Sequence, residues 1–324
     1  MNMKKVLLTL VCCATLLAAC GPRKSAAPAR QIRQFPHVEI PSVLTEPSEK
    51  LEYMFDRYWD GFFAGGGTTD TGAVLGVPRP EVETAVATYL TLMDNMPMEK
   101  AQAGIRSIFS RIEKAQAADT ASHVYLLMTE ILSDYLYDPN SPYRNEDYYL
   151  PLVEAMAVSP YSRDDMRAGY RYQARVCGIN RKGSQAPDFA FTDIRGREHR
   201  LHSVKAEYTL LFFSNPGCHA CREIIETITS RPYVDPFIAS GRLAVVNIYI
   251  DEEIDAWKAY EPNYPRNWST GYDSRKVIRD TELYNVRAIP SLYLLDADKR
   301  IIMKDAPTEK VMAFLDKYAN TKTQ

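Results

Sequence analysis

The spacing of apolar residues divides the chain into two parts. Between residues 37 and 178, apolar side chains recur every three or four positions, which places them on one face of a helix. Four such stripes are clear: Leu51, Met54, Phe55, Tyr58 and Trp59; Val82, Val86, Leu90 and Met93; Ile105, Ile108, Phe109 and Ile112; Val124, Leu127, Met128, Ile131 and Tyr135. We predict an all-helical domain of about six helices over residues 37–178.

Polar residues mark the expected ends of these helices. Ser48, Asn145 and Asp164 are predicted N-caps, because short polar side chains can accept hydrogen bonds from the first free N–H groups of a helix. Asp138-Pro139 should end the fourth helix, since proline cannot continue it. Six tyrosines lie between Tyr125 and Tyr149, and their spacing places most of them in the core rather than along a ligand groove.

After Gly178 the periodicity changes. Residues 180–185 are polar and include Gly and Ser, which indicates a hinge. Apolar, β-prone runs then alternate with helical stripes. The predicted strands are 208–213, 243–250, 291–295 and 301–304, and the predicted final helix is 308–318. This alternation predicts an α/β domain over residues 183–320, a central sheet flanked by helices.

The N-terminus has the layout of an export signal. Lys4 and Lys5 precede an apolar run over residues 6–19 that is shorter than the roughly 20 residues of a spanning helix. Leu17-Ala18-Ala19-Cys20 is similar to a bacterial lipobox. We predict a signal peptide at 1–19 and, at 20–36, a tether lipidated on Cys20. The alternative is an ordinary signal peptide in which Cys20 is incidental.

These features predict a protein held in the envelope of a Gram-negative cell by lipid on Cys20 and facing the periplasm. Which of the two membranes holds it is not predicted. The formal net charge is −2, and nothing in the sequence suggests a nucleic-acid partner, which would call for a basic patch. Cys12 and Cys13 would leave with the signal. The thiols of the mature protein would then be Cys177, Cys218 and Cys221.

Cys218-His219-Ala220-Cys221 carries the candidate chemistry. It follows a predicted strand and Pro216-Gly217, so Cys218 should begin a helix, where the helix dipole and free N–H groups favour a thiolate. Cys221 would lie one turn further along. We predict that Cys218 attacks and Cys221 resolves the mixed disulfide. A structural disulfide remains open, as does a metal site that uses His219 with His199 or His202.

Three motifs in this order resemble the thioredoxin-like proteins of the TlpA/ResA branch, over residues 183–318. They are Ala186-Pro187-Asp188-Phe189, the run Leu211-Phe212-Phe213 before the cysteine pair, and Ala288-Ile289-Pro290-Ser291. The resemblance implies a thiol–disulfide oxidoreductase with a cis Ile289-Pro290 bond facing the substrate and His219 and Ala220 tuning the cysteines. It implies no cofactor beyond the Cys218–Cys221 disulfide. The implied partners are protein thiols and disulfides, with an upstream thiol donor or acceptor.

Some residues depart from the thioredoxin pattern. Gly217 replaces an aromatic residue, His219-Ala220 replaces Gly-Pro, and the strand before the pair has no buried acid. The acids that could instead accept the proton of Cys221 are Glu207, Glu223 and Glu226. Because His219 would stabilise a neighbouring thiolate, we expect a potential less reducing than that of thioredoxin.

The helical region also resembles a known domain. Its segments Tyr137-Asp138-Pro139-Asn140-Ser141-Pro142 and Asn180-Arg181-Lys182-Gly183 are similar to those of an uncharacterised domain that precedes thioredoxin-like domains in Gram-negative lipoproteins. This resemblance implies no activity for the region. It leaves a rival hypothesis, in which the protein is a binding or assembly lipoprotein whose thioredoxin-like domain serves as a docking platform. Cys177, at the predicted end of a helix, is expected to be a buried structural thiol.

Overall fold

The computed structural model describes residues 32–321 of the chain. Cys20, the predicted signal peptide and most of the predicted tether therefore lie outside the described residues. We call residues 32–178 the helical part and residues 179–321 the sheet part. No helix among the described residues combines the length and the apolar character needed to cross a membrane.

The helical part contains seven α-helices within the described range. They are α1 Pro47–Arg57, α2 Asp60–Ala64, α3 Arg79–Met93, α4 Met98–Ala118, α5 Val124–Tyr137, α6 Glu146–Val158 and α7 Asp164–Cys177. The apolar stripes lie on these helices, except that Tyr58 and Trp59 fall between α1 and α2, and most of the stripe residues form one core. A short hairpin of β1 (Ala73–Val74) and β2 (Val77–Pro78) interrupts the helices, which the all-helical prediction did not include.

Two of the three predicted caps are displaced. Asn145 caps α6 as predicted, and its side chain accepts a hydrogen bond from the N–H of Tyr148. Ser48 does not cap α1, because the helix already begins at Pro47, whose fixed φ suits the first turn. Asp164 is the first residue of α7 rather than its cap, which is Arg163. α5 ends before Asp138-Pro139, as predicted.

The sheet part is built on seven strands. They are β3 Ala190–Thr192, β4 Glu198–Arg200, β5 Tyr208–Phe213, β6 Leu243–Tyr249, β7 Ser269–Tyr272, β8 Ser291–Leu295 and β9 Ile301–Met303. Their order is β4-β3-β7-β6-β5-β8-β9. β5, β6 and β7 are parallel neighbours, and the other pairs are antiparallel. All four predicted strands are confirmed; β3, β4 and β7 were not predicted.

Helices cover both faces of this sheet, as predicted. They are α8 His219–Thr229, α9 Val234–Ala239, α10 Ile254–Tyr260, α11 Val277–Asp280 and α12 Thr308–Thr321. Leu210 and Phe212 of β5 pack on one face against residues of α8 and α12. Leu211 and Phe213 pack on the other face, against a cluster that includes Ile278 of α11. A strand buried on both faces reads as a continuous apolar run, which is why β5 was visible in the sequence.

The segment at residues 180–185 is not a hinge, so that prediction is wrong. Gly183 donates its N–H to the carbonyl of Ile301 at 2.7 Å, and Ser184 accepts from the N–H of Ile301 at 2.9 Å. Gln185 forms an antiparallel bridge with Arg300. Asn180 is buried, and its side chain donates to the carbonyl of Leu283 at 3.1 Å. Polar composition indicated a loop, but Gly183 and Ser184 pair with Ile301 of β9, and Asn180 is held by Leu283.

Candidate functional site

The turn after β5 places Cys218 at the start of α8. Gly217 has a φ of +71°, a backbone angle that residues with a Cβ rarely adopt, and Pro216-Gly217 reverses the chain there. Cys218 is the N-cap of α8, and its Sγ accepts a hydrogen bond from the N–H of Cys221 at 3.2 Å. The first free N–H groups of the helix therefore point at this sulfur, an arrangement that stabilises a thiolate.

Cys218 and Cys221 are joined in a disulfide, with their Cα atoms 5.2 Å apart. The two sulfurs differ in access. Cys221 is 2% exposed and belongs to the core between β5, α8 and α12, whereas Cys218 is half-buried at its edge. An incoming molecule therefore reaches Cys218 before Cys221.

The cis-proline loop, defined as residues 287–291, lies beside this turn. The Ile289-Pro290 peptide bond is cis, as the resemblance implied. Ser291 pairs with Phe213 in the antiparallel register of β8 and β5, so Pro290 lies at the end of β5 from which the cysteine turn begins. Ile289 packs against the same apolar cluster as Cys218. Residues far apart in the sequence thus meet where β5 ends and β8 begins, in the middle of the sheet.

His219 and Ala220 are exposed on the first turn of α8. His219 Nδ1 lies 3.5 Å from Glu223 Oε1, and both side chains are mostly exposed, so this pair stabilises the fold little. His219 is adjacent to the helix start and can act on the thiolate through its charge alone.

None of the three predicted proton acceptors is buried beside Cys221. Glu207, Glu223 and Glu226 are all exposed. Glu207 precedes the first residue of β5, and its carboxylate accepts a hydrogen bond from the hydroxyl of Tyr318. Because β5 rises about 3.3 Å per residue, Glu207 lies on the order of 20 Å from the cysteine turn. The sequence alone could not rank these acids, because it shows neither which face of α8 is solvated nor how far Glu207 lies from the cysteine turn.

A neutral polar cluster that was not predicted from the sequence lies behind the turn. The Ser214 hydroxyl donates to Asn247 Oδ1 at 2.6 Å and lies 3.3 Å from the Tyr264 hydroxyl. Ser214 and Asn247 are almost fully buried. Burial raises the pKa of Tyr264, so its hydroxyl stays protonated at neutral pH. The signal that could have revealed this cluster is the single Asn within the apolar run of β6.

A groove of about 670 Å³ runs along the cis-proline loop. On the sheet part its lining includes Asn215, Ile289 and Glu282; the helical part contributes Tyr137, Tyr172 and Val176. Of the six tyrosines between residues 125 and 149, Tyr137 therefore reaches a groove, while Tyr125, Tyr148 and Tyr149 are buried as predicted. The helical part supplies one wall of the groove that begins next to the cysteine turn.

The remaining candidate residues are held elsewhere. His199 pairs with Asp193 at 3.0 Å and stacks on Phe191, and the His202 ring lies 2.8 Å from the carbonyl oxygen of Ala186. Neither histidine joins Cys218 in a ligand cluster. Within residues 32–321, no group of three or more His, Cys, Asp or Glu side chains is arranged to hold a metal ion.

Cys177 ends α7 in the core of the helical part and is fully buried with a free thiol. Burial raises the pKa of this thiol, and the negative charge of Glu146 adds to the shift. The thiol is therefore protonated and unreactive at neutral pH, which agrees with the structural role expected of it.

Two family models match the chain. A domain of unknown function, DUF5106, matches residues 16–177, and the AhpC/TSA family matches residues 182–304. Among solved structures, a thioredoxin-like protein from Bacteroides caccae is 35% identical, covers 88% of this chain and 98% of its own, and superposes with a TM-score of 0.74.

Two curated relatives are similar to part of the chain. A protein named thiol–disulfide oxidoreductase ResA from Bacillus cereus is 24% identical over 141 residues, which are 42% of this chain and 77% of the relative. The thioredoxin-like protein YneN from Bacillus subtilis is 28% identical over 130 residues, 39% of this chain and 71% of the relative.

A central sheet flanked by helices, a cysteine pair at a helix start and a neighbouring cis-proline define a thioredoxin-like thiol–disulfide oxidoreductase. The helical part distinguishes this chain from thioredoxins of a single domain. The chain belongs to the thioredoxin-like proteins, and in it a DUF5106 domain precedes the region that matches the AhpC/TSA family.

Proposed function

We propose that the Cys218–Cys221 pair exchanges disulfides with protein clients in the periplasm. The observation that carries the proposal is the meeting of the pair with the cis-proline loop at one end of β5. Cys218 is the accessible sulfur at a helix start, and Cys221 is the buried sulfur one turn away. This division supports an attacking role for Cys218 and a resolving role for Cys221.

The exchange has two steps. In the reduced protein, the Cys218 thiolate attacks one sulfur of a client disulfide, a Cys218–client bond forms, and the other client sulfur leaves as a thiolate that takes up a proton. The Cys221 thiolate then attacks Cys218 Sγ, which releases the second client thiolate and forms the Cys218–Cys221 disulfide. Two electrons pass to the client. An upstream thiol donor or acceptor restores the starting state, and every step also runs in reverse.

The backbone of the cis-proline loop is the proposed docking edge for the client chain. Within residues 32–321, neither Ala288 nor Ile289 makes a backbone hydrogen bond to the rest of the protein. An extended client segment can therefore add its own main-chain hydrogen bonds there, beside the sulfur that it presents to Cys218. His219 and Ala220 occupy the exposed rim of this site.

The proposed location follows from the N-terminal sequence. The apolar run that ends just before Cys20 supports export and lipidation, and the residues after Cys20 support a tether that holds the folded part away from the membrane. In this proposal the protein faces the periplasm of a Gram-negative bacterium and is anchored by lipid on Cys20.

Replacement of Cys221 by Ser tests the proposed chemistry. Without a resolving thiol, the mixed disulfide on Cys218 persists, so cells that produce Cys221→Ser should accumulate client adducts that dithiothreitol releases on a gel. The double variant Cys218→Ser/Cys221→Ser is the matched control and should trap none. If the single variant traps no client and cells keep the function of the protein, the chain acts as a docking platform instead.

A further inference from the structure

A cluster of four buried charges joins the helical part to the cis-proline loop. We call it the ion cluster: Glu146 of α6 with Arg287, Lys304 and Asp305 of the sheet part. Arg287 Nε lies 2.7 Å from Glu146 Oε1, Lys304 Nζ 2.6 Å from Glu146 Oε2, and Arg287 Nη2 2.9 Å from Asp305 Oδ2. All four side chains are 11% exposed or less. Desolvation of four charges is costly, so stability alone does not account for this arrangement.

The ion cluster holds both ends of the cis-proline loop. Arg287 is the first residue of the loop and Ser291 the last. One carboxylate binds both, since Asp305 Oδ2 accepts from Arg287 and Asp305 Oδ1 accepts from the Ser291 hydroxyl at 2.8 Å. The cis Ile289-Pro290 bond thus lies between two residues, Arg287 and Ser291, that both bond to Asp305.

The helical part fixes the first end of the loop. Glu146 Oε1 accepts from Arg287 Nε and also from Asn285 Nδ2, both at 2.7 Å. Arg287 Nη1 donates to the carbonyl of Tyr137, and the guanidinium lies over the Tyr137 ring, 4.1 Å from its centroid. The guanidinium therefore has partners on three sides, and two of these partners belong to α5 and α6.

Lys304 anchors the same carboxylate from the opposite side. Its Nζ pairs with Glu146 Oε2 as an ion pair, and its protons are directed to the carbonyls of Cys177 at 3.1 Å and Ile179 at 2.6 Å. With one oxygen facing Lys304 and the other facing Arg287, the Glu146 side chain has little freedom. It is suited to transmit the position of α6 to the loop.

We propose that Glu146 is a positioning residue of the client site: through Arg287 it holds Ala288 and Ile289 in register with a client chain at Cys218. This inference rests on the proposed function. It assigns the DUF5106 region a part in recognition of extended peptide substrates. A small disulfide that reaches only Cys218 does not depend on it.

Two activated disulfides with the same leaving group test the inference. One is a short extended peptide with thionitrobenzoate on its single cysteine, and the other is N-acetylcysteinamide with the same group. Attack by the Cys218 thiolate forms the mixed disulfide and releases coloured thionitrobenzoate in both cases. In the full chain carrying Cys221→Ser, the peptide should react faster than the amide, because it can pair with the loop.

Glu146→Gln should remove that advantage. This change removes the negative charge of the Glu146 carboxylate, which Arg287 contacts. We expect the rate with the peptide to fall about tenfold, which is the effect of one charge-assisted hydrogen bond. The rate with the amide should change less than about twofold. Asp147→Asn is the matched control, because Asp147 is a buried carboxylate on the same helix that contacts Lys182 and Arg181 rather than the loop. It should leave the ratio of the two rates unchanged.

Each outcome decides one question. Equal losses with both disulfides would overturn the inference, because the effect would lie on the cysteines or on folding. The inference would also be overturned if Glu146→Gln left the ratio of the peptide rate to the amide rate unchanged. The same holds if the Cys221→Ser chain with Glu146 intact showed no preference for the peptide. If Glu146→Gln does not fold, Arg287→Lys keeps the charge but loses the forked contact and should show the same selective loss. Failure to release thionitrobenzoate from either compound would instead refute the proposed function.

Discussion

Cys177 and Cys218 carry the same thiol group, and their surroundings give them opposite properties. Cys218 lies at the first turn of α8, where free N–H groups favour the thiolate. Cys177 lies in the core of the helical part, and burial raises the pKa of its thiol. A thiol with a raised pKa is protonated at neutral pH and cannot attack a disulfide.

The two environments predict the order of alkylation. In the reduced, folded protein, iodoacetamide should modify Cys218 first and leave Cys177 unmodified from about pH 7 to about pH 9, where an ordinary cysteine titrates. Peptide mapping by mass spectrometry measures this order. Modification of Cys177 before Cys218 would contradict the assignment.

The same shift has a consequence for stability. Because the pKa of Cys177 is higher in the folded state, its contribution is complete below the unfolded value of about 8.5 and is lost as the pH rises toward the folded value. Cys177→Ala provides the comparison for urea unfolding above about pH 9. The wild type should lose stability with pH more steeply than this variant.

Single residues were predictable where their chemistry has a fixed spacing. Cys218, Cys221 and Pro290 stand in motifs that the sequence shows directly. Glu146 does not, because its importance comes from Arg287, 141 residues away in the chain. A glutamate beside a predicted N-cap looks like a solvated first-turn residue, and only the packing of α6 against the sheet part reveals that it is buried.

At the scale of elements, α8 sets the electrostatic environment of the cysteine pair. Its N-terminus stabilises the Cys218 thiolate, and exposed His219 adds a positive charge when protonated. Both effects favour the reduced form of the pair over the disulfide. Glu223, one turn along the same helix, offsets part of the charge on His219.

We therefore predict a midpoint potential above the roughly −270 mV of thioredoxin. Titration of the full chain in dithiothreitol buffers measures it. His219→Ala should lower the potential, whereas Glu223→Gln should raise it, because it removes a negative charge one turn from the thiolate. A midpoint at or below that of thioredoxin would refute the prediction, as would shifts of the same sign in both variants.

Element length explains much of what the sequence revealed, although β9, which has only three residues, was recognised after β8 and a turn. α3, α4 and α5 each present an apolar stripe over three or more turns, so their periodicity is visible. β1 to β4 contain two or three residues each and depend on their partners in the sheet, so no periodicity can develop within them. The predicted hinge failed because hydrogen bonds to residues far along the chain, Leu283 and Ile301, hold this segment in place.

At the scale of the whole molecule, the helical and sheet parts are joined by ion pairs of two kinds. Lys304 and Glu146 form a pair in which both side chains are 1% exposed. Lys310 and Asp94 form a surface pair at 2.8 Å, with about a third of each side chain exposed. The loss of a partner leaves an uncompensated charge only in the buried pair, so the two pairs should respond differently to the same change.

Substitution of each lysine by methionine measures this difference. Lys304→Met should lower the free energy of unfolding by about 3–5 kcal/mol, because Glu146 loses one of its two cationic partners in a buried site. Lys310→Met should change it by no more than about 1 kcal/mol. Urea unfolding of the full chain provides both values. Equal costs would show that the Glu146 carboxylate is solvated or protonated when Lys304 is absent.

The pairing of the connecting segment with β9 also protects the protein from association. An open sheet edge exposes unpaired N–H and C=O groups to which another chain can add a strand. Residues 183–186 cover the β9 edge through their hydrogen bonds to Lys299 and Ile301. At the opposite edge, β4 is only three residues long and has charged residues at both ends. Within residues 32–321, one edge of this sheet is therefore covered and the other is short and charged, so neither favours strand addition between copies of the protein.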